Sequence, residues 1–167
     1  MENTGINQYG KLVNTIGQLL SEARKNIAVS VNNVLVETYW SIGKHIIEFE
    51  QKGNERADYG SGLINRLSHD LTDLYGKGFN RNNLQYMRKF YMTFPNSTTL
   101  SCKLSWSHYQ EILKLDNPLE IKFYVRECEN SRWSVRELKR QRDSMLFHRI
   151  ANSKDKESVL QLANKGV

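Results

Sequence analysis

The chain has 167 residues, of which 39% are hydrophobic and 25% charged, and its net charge is +6 with a pI near 9.3. No apolar run is long enough to span a bilayer, and the N-terminus lacks the basic region and apolar core of a secretory signal. These features exclude an integral membrane protein and a secreted disulfide scaffold. They predict a cytoplasmic protein of one domain or two small ones, with Cys102 and Cys128 as free thiols.

Two long amphipathic helices are predicted first, over residues 6–27 and 29–51, and together they would form an N-terminal hairpin. Apolar residues recur at helical spacing from Tyr9 to Ile27 in the first helix, and from Val31 to Phe49 in the second. Gly43 is unfavourable in a helix interior, so it predicts close packing against a neighbouring helix. A short strand over 29–34 is a minor alternative, because β-branched residues are frequent there.

The second helix also carries apolar residues off its main stripe, namely Val36, Trp40 and Ile47. A helix with apolar residues on more than one face lies at the centre of a fold or in a subunit interface. We therefore predict a homodimer contact through these three residues and the first helix. Packing within one subunit stays open as the alternative.

A helix, a glycine turn and a second helix are predicted over about 60–94, after a segment of turn composition at 52–62. Gly76 and Gly78 can adopt the positive φ that ends a helix, and Asn80 is a suitable N-cap for the next one. The second helix should end before Pro95. Its buried stripe is predicted to comprise Leu84, Met87, Tyr91 and Phe94.

The opposite face of that second helix carries residue types that contact phosphates and base edges in a DNA major groove. We predict that it faces the groove through Arg81, Asn82, Gln85, Arg88 and Lys89, all of them exposed. Contacts to the DNA backbone are predicted for Lys77, Arg136, Lys139 and Arg140. In an ordinary all-α domain the same pattern is a solvated basic face. The connection is also about two residues longer than the compact DNA-reading turn of about 3–4 residues, so this alternative stays open.

The distribution of charge along the chain favours a polyanion as the partner. Residues 1–73 hold seven Lys/Arg and nine Asp/Glu, whereas residues 74–110 hold five Lys/Arg and no acid. Residues 111–167 hold twelve basic and nine acidic residues. The positive charge therefore begins at the predicted helix-turn-helix and continues after it.

The last third of the chain is predicted to be a series of short helices capped by Ser105, Asn117 and Ser134. Pro118 and Glu120 strengthen the second start, with Glu120 as the capping-box acid, and the buried side of that helix would hold Leu119, Phe123, Tyr124 and Cys128. Ser134 and Glu137 form a capping box that opens a helix buried through Val135, Leu138, Met145 and Leu146. A final short helix is predicted over 154–164.

No catalytic site, metal site or cofactor site is predicted. The four histidines have no metal-ligand spacing, and the chain contains neither a nucleophile elbow nor a phosphate-binding glycine loop. Asp116, Glu120 and Lys122 superficially match the acidic pattern of metal-dependent nucleases. However, those ligands belong on strands, whereas these residues lie at a helix start.

Several strings of the sequence resemble a known family when taken together and in order. They are ETYWSIGKHI (37–46), RADYG (56–60), LSHDL (67–71), GKGFNRNNLQYMRKFY (76–91), LSWSHY (104–109) and SVRELKRQ (134–141). These strings are similar to the N-terminal domain of the YhcG-type bacterial proteins, over about residues 10–160. Asn80 stands where Ser is more usual, and both residues cap helices well. The segment after the helix-turn-helix also resembles, more faintly, that of ParB-like partition proteins.

The family resemblance implies a helix-turn-helix-like DNA-binding module that precedes a C-terminal nuclease domain of the PD-(D/E)XK superfamily. It implies that this chain is a fragment that stops before the nuclease domain and its catalytic residues. We therefore expect an all-α fold, with the hairpin over residues 1–52 and a helix-turn-helix-like bundle over 53–167. The expected partners are double-stranded DNA, the tethered nuclease domain and a second copy in a homodimer. The alternative function is an interaction or dimerisation module without DNA contact, and an independent enzyme is the poorest third choice.

Overall fold

Helices dominate the part of the chain that the computed structural model describes, residues 3–52 and 59–152. In order they are α1 Asn3–Lys52, α2 Tyr59–Tyr75, α3 Arg81–Thr93, α4 Trp106–Ile112, α5 Pro118–Ser131, α6 Val135–Asp143 and α7 Leu146–Asn152. A 3₁₀ turn, Ser97–Thr99, joins α3 to α4. Because no strand occurs within the described residues, the predicted all-α class is confirmed.

The predicted N-terminal hairpin is wrong, because residues 6–27 and 29–51 belong to one continuous helix, α1. Only Ala28 separates the two predicted helices, and no Gly or Pro stands there to end the first. The strand alternative over 29–34 is wrong for the same reason. The predicted turn at 52–62 falls largely on residues 53–58, and the predicted last helix on 154–164. Both of those ranges lie outside the described residues.

The core is built from the C-terminal part of α1 and from the helices that follow. Val36 of α1, Phe90 of α3 and Tyr109 of α4 lie in the larger buried cluster, which α5, α6 and α7 complete. The smaller cluster joins α1, α2 and α3, and comprises Ile46, Ile64, Leu84 and Met87. By contrast, every side chain from residue 8 to residue 31 is exposed. The N-terminal half of α1 therefore extends beyond the core.

Helices α1 and α3 touch backbone to backbone at Gly43. A Cβ placed on Gly43 would lie 2.0 Å from the carbonyl oxygen of Met87, so only glycine fits at this crossing. The close packing predicted for Gly43 is confirmed. Nearby, Val36 is 3% exposed, and the indole N–H of Trp40 donates to the carbonyl of Phe94 at 2.6 Å. The homodimer contact predicted through Val36 and Trp40 is wrong because both pack within the chain, while Ile47 is half-buried.

The last third of the chain has the predicted helix caps, but three other details of its prediction are wrong. Ser134 and Glu137 form the predicted capping box of α6, and Asn117 caps α5 by accepting from the N–H of Leu119. Glu120 is not the capping acid, since it is 8% exposed and faces Nε2 of His148 at 3.7 Å. Leu119 itself is exposed. The helix predicted to run through Met145 breaks there, because Met145 has a φ of 53° and its side chain is exposed.

Candidate nucleic-acid interface

The turn between α2 and α3 is fixed by its glycines and by an asparagine cap. Gly76 and Gly78 have φ values of 80° and 125°, which residues with a Cβ rarely adopt. The side chain of Asn80 accepts from the N–H of Asn83, and Asn83 in turn donates its amide to the carbonyl of Gly78. These bonds satisfy donors at the start of α3 and set the direction in which it leaves the turn.

Helix α3 has one buried face and one exposed face. Leu84, Met87 and Phe90 are fully buried, whereas Arg81, Asn82 and Gln85 are exposed, as predicted. The predicted stripe was off by part of a turn, because Tyr91 and Phe94 are only half-buried and Phe90 takes their place. Phe90 contacts the rings of Trp106 and Tyr109 at centroid distances of 5.4 and 4.6 Å. Because the aromatic residues of α4 pack against Phe90, the buried face of α3 includes Phe90 and leaves Tyr91 at its edge.

Arg88 does not lie on the exposed face, so its predicted exposure is wrong. Its Nε lies 2.8 and 3.0 Å from the two carboxylate oxygens of Glu50, near the end of α1. The side chains of Arg88 and Glu50 are 38% and 19% exposed. Arg88 therefore ties α3 to α1.

Lys89 and Lys77 are the two lysines closest to this face, and the predicted exposure of Lys89 is wrong, like that of Arg88. Lys89 is half-buried, and its ammonium lies 3.0 Å from Asp116, a carboxylate that is 93% exposed. An ion pair this exposed contributes little stability and exchanges readily with other anions. Lys77 is exposed in the turn before α3. Both lysines can therefore approach an anionic partner without disturbing the core.

Asn83 joins the first turn of α3 to α4, a role that the sequence did not reveal. Its side-chain oxygen accepts from the indole N–H of Trp106 at 2.9 Å and from the amide of Gln110 at 3.0 Å. Two donors from one neighbouring helix fix the start of α3 just where Arg81 and Asn82 project. An asparagine in a run of polar residues gives no local sequence signal for this contact.

Helix α4 also connects to α6, which carries the other predicted basic residues. One ring nitrogen of His108 lies 3.0 Å from the carbonyl of Trp133, just before α6, and Arg142 pairs with Glu111 of α4. Arg136, Lys139 and Arg140 are exposed on α6, as predicted. The structure thus links the helices that carry the two groups of basic residues through α4.

Glu111 is the carboxylate whose titration this network changes. Partial burial acts to raise its pKa, but hydrogen bonds from Lys114 and Arg142 outweigh burial, so the pKa of Glu111 lies below its ordinary value. Arg142 is also bonded to Asp143. Arg142 is therefore held by ion pairs within the chain, unlike its exposed neighbours on α6.

The described residues offer no arrangement for metal or covalent chemistry. Among them, no three His, Cys, Asp or Glu side chains are grouped so that they could hold a metal ion. Asp116 pairs with Lys89, while Glu120 faces His148, so the nuclease-like pattern noted in the sequence has separate structural partners. Both cysteines are free, as predicted, and burial raises the pKa of Cys128 to about 12. None of the described helices is both long enough and apolar enough to cross a membrane.

Comparison with known proteins identifies related sequences. The model of a family described as DUF1016 N-terminal domain matches residues 15–149. The chain is 35% identical over 185 aligned residues to a protein of Escherichia coli (strain K12) named "Putative nuclease YhcG", and the alignment covers 92% of this chain. It covers 49% of that protein, so the chain spans about half the length of the curated relative that it matches. No solved structure matches the chain.

Proposed function

Because the chain belongs to the DUF1016 N-terminal domain family, we propose that it binds duplex DNA and positions a nuclease domain tethered to it. The nuclease part of the proposal comes from the name of the related protein, of which this chain matches about half. The DNA part comes from the residues of α3 and its surroundings. The proposed location is the cytoplasm, where a bacterial nuclease would meet DNA.

The observation that carries the DNA proposal is the exposed face of α3. Arg81, Asn82 and Gln85 project from its first two turns. Arg forms paired hydrogen bonds with guanine, and Asn and Gln do so with adenine, while all three types also contact phosphate. Residues 74–110 contain no Asp or Glu that would repel the DNA backbone. A helix that presents these residue types fits a major groove better than it fits a protein partner.

Rigid support of α3 adds to the proposal. Contact with Gly43 fixes the middle of the helix, and the bonds of Asn83 with Trp106 and Gln110 fix its first turn. A reading helix that is held in place loses little conformational freedom on binding, which favours affinity. The proposed contact set is therefore Arg81, Asn82, Gln85 and Lys89 on α3. Lys77, Arg136, Lys139 and Arg140 would contact the DNA backbone.

Two substitutions of equal charge test this orientation. Arg81→Ala and Arg88→Ala each remove one positive charge from α3, but only Arg81 lies on the proposed DNA face. In fluorescence anisotropy with a labelled duplex, the wild-type affinity should fall with salt at a log–log slope of about −0.9 per phosphate contact. Arg81→Ala should weaken binding about tenfold with little change in Tm. Arg88→Ala should lower the Tm, because it leaves Glu50 unpaired, and change affinity by no more than about twofold.

The outcomes of this comparison separate the alternatives. If the wild type shows no binding at low salt, the DNA proposal fails. If Arg88→Ala weakens binding as much as Arg81→Ala does, the face that reads DNA is not the one proposed. Gln85→Ala then distinguishes base reading from phosphate contact, because a base contact changes affinity for some sequences only.

The second candidate function is an interaction module without DNA contact. It is favoured by the exposed apolar residues on the N-terminal half of α1, which are unlike the surface of most monomers. The two functions are compatible, because the α1 residues and the face of α3 are different surfaces.

A further inference from the structure

The N-terminal half of α1 carries a continuous apolar stripe that nothing in the described chain covers. Between residues 9 and 34 it exposes Tyr9, Leu12, Ile16, Leu19, Leu20 and Ile27, and Leu19 alone is 61% exposed. The stretch is about 40 Å long at about 1.5 Å per residue. Monomers rarely leave an apolar patch of this size open to water.

The spacing of the stripe repeats every seven residues. If Tyr9 and Ile16 are assigned to heptad position a, then Leu12 and Leu19 occupy position d. In the next two heptads these positions hold small or polar residues, namely Ala23, Ser30, Asn26 and Asn33. Position e is apolar in four successive heptads, with Val13, Leu20, Ile27 and Val34. Apolar residues at a, d and e in the first two heptads, continued at e in the next two, form the kind of stripe by which one long helix packs along another. The surface that covers the stripe is therefore expected to be a helix of similar length.

A helix of this composition also needs a partner to stay folded. Gly10 and Gly17 lower its intrinsic helix propensity, and nothing lies within 4 Å of a Cβ placed on either of them. In proteins, most helical stability comes from packing of the amphipathic face. The C-terminal part of α1 has this support from α3, and the N-terminal half has none within the described chain.

We propose that the stripe on α1 binds the same stripe of a second copy of this chain, in an antiparallel helix pair. Residues 153–167 are shorter than the stripe, since they would span only about 22 Å even as a helix. A second copy supplies a helix of equal length and the same heptad pattern. An isologous contact of this kind has two-fold symmetry, as in most homodimers.

The apolar area is sufficient for a specific contact. The transfer free energy of one large aliphatic side chain, divided by about 25 cal/mol per Å², corresponds to roughly 60–120 Å² of apolar surface removed from water on burial. About half of this surface is still exposed on each stripe residue. Eight such residues on each of two helices then bury roughly 500–1,000 Å² in all, which with the flanking polar side chains reaches the ~1,000 Å² of a specific interface. The expected dimer is reversible, with a dissociation constant in the micromolar range.

The orientation follows from the two flanks of the stripe. Position e is apolar throughout, whereas position g holds Gln8, Thr15 and Glu22 and becomes apolar only at Val29. A parallel pair would set each e residue beside a g residue of the partner, which buries polar groups against apolar ones. An antiparallel pair sets e beside e, and leaves Glu22 and its neighbours toward water. The antiparallel pair is therefore the arrangement in which apolar meets apolar.

Such a dimer would hold two cores at opposite ends of the paired helices. If the proposed DNA function is correct, the two α3 faces would read two half-sites related by a two-fold axis. That consequence depends on the proposed function, whereas the dimer itself does not. Mass measurements without DNA therefore test the dimer alone.

The test compares two double substitutions that add the same charge. Leu19→Glu with Leu20→Glu places two carboxylates in the stripe, and Asn14→Glu with Gln18→Glu places two on the opposite, exposed face of the same helix. Light scattering at about 100 μM should give the wild type and the control twice the chain mass of 19.5 kDa. The stripe variant should give 19.5 kDa, with its dissociation constant raised at least about 100-fold, because two carboxylates would have to be buried.

The remaining outcomes decide the proposal without ambiguity. A wild-type chain that stays monomeric at this concentration overturns the proposal. A stripe variant that stays dimeric also overturns it. Near-ultraviolet circular dichroism of Trp40 and Trp106 is the control for an intact core in each variant, since neither residue touches the stripe.

Single cysteines test the orientation. In a variant with Cys102→Ser, which removes the exposed native thiol, a cysteine is placed at Tyr9, at Leu20 or at Ser30. A parallel pair in register would cross-link at positions 9 and 30, which both lie at heptad position a, and not at position 20, which would face position g of the partner. The antiparallel pair should cross-link readily only near its middle, at position 20, because a disulfide needs Cβ atoms about 4 Å apart. Equal cross-linking at both ends would overturn the antiparallel arrangement.

Discussion

At the scale of single residues, Gly43 decides whether α1 and α3 can meet. The carbonyl oxygen of Met87 would lie 2.0 Å from an added Cβ, and a backbone atom cannot move aside as a flexible side chain can. We predict that Gly43→Ala separates the two helices and lowers the free energy of unfolding by about 3 kcal/mol or more, as overpacking of a core does. Urea unfolding followed by circular dichroism measures this loss.

Gly17→Ala is the matched control, because it makes the same change in the same helix where nothing lies within 4 Å. Alanine there should leave stability unchanged or raise it by up to about 1 kcal/mol, because glycine is the poorer helix former. If the two variants lose equal stability, close approach is not the reason for Gly43.

The sequence could identify Gly43 but not the orientation of Arg88. A glycine inside an apolar helix has few explanations, and close packing is the commonest. Arg88 lies at the border between the two faces of α3, where spacing alone assigns it to either. Its partner Glu50 is distant in sequence and near the end of α1, so only the packing of α1 on α3 turns Arg88 inward. Asn83 escaped prediction for the same reason, since its partners come from α4.

At the scale of the elements, local signals predicted most helix starts well. Asn80, Asn117 and Ser134 cap the helices that they were expected to cap, because a cap depends on neighbours within four residues. Whether a helix continues or ends at a given residue was harder to predict. Two separate helices were predicted on either side of Ala28, but the helix continues while its stripe passes from an open surface to the core. At Met145 the chain turns with a positive φ and no glycine marks the break.

The contact between α4 and α6 should depend on pH through Glu111. Its pKa in the folded state is lowered, despite partial burial, by hydrogen bonds from Lys114 and Arg142. A carboxyl group of this kind stabilises the fold above its ordinary pKa of about 4.5, and the stabilisation is lost as the pH falls through the lower folded value. We predict that Glu111→Gln lowers the Tm at pH 7.

At acidic pH the difference in Tm between Glu111→Gln and the wild type should shrink, because Glu111 is then protonated in both the folded and unfolded states. Thermal unfolding from pH 7 down to about pH 2.5 measures the two curves. Glu137→Gln is a useful comparison, because Glu137 is also a carboxylate with a lowered pKa but lies in an exposed capping box outside the α4–α6 ion pair. A difference for Glu111→Gln that stays constant across the range would exclude this ion pair as its source.

At the scale of the whole molecule, α1 belongs to two environments. Its C-terminal part supplies Val36 and Ile46 to the two buried clusters, whereas residues 8–31 contribute no buried side chain. The predicted N-terminal unit of residues 1–52 therefore divides within the helix. The part of α1 that the rest of the fold needs begins near Asn32, whose amide donates to the carbonyl of Leu104 at 3.0 Å.

This division predicts how the protein tolerates truncation, because tolerance follows burial of the removed residues. Within residues 1–30 every side chain whose burial is described, from residue 8 on, is exposed, so the core of the shortened chain should keep a Tm within about 3 °C of the monomeric Leu19→Glu, Leu20→Glu variant. The shortened chain should be monomeric and should retain the salt-dependent DNA binding of a single module.

Deletion of residues 1–43 also removes Val36, Trp40 and Gly43, and should prevent folding, since loss of the tryptophan alone costs about 3–5 kcal/mol. Thermal unfolding, light scattering and DNA titration on the two truncated chains check these outcomes. If deletion of 1–30 unfolds the core, the N-terminal half of α1 supports the fold itself and does more than join two copies.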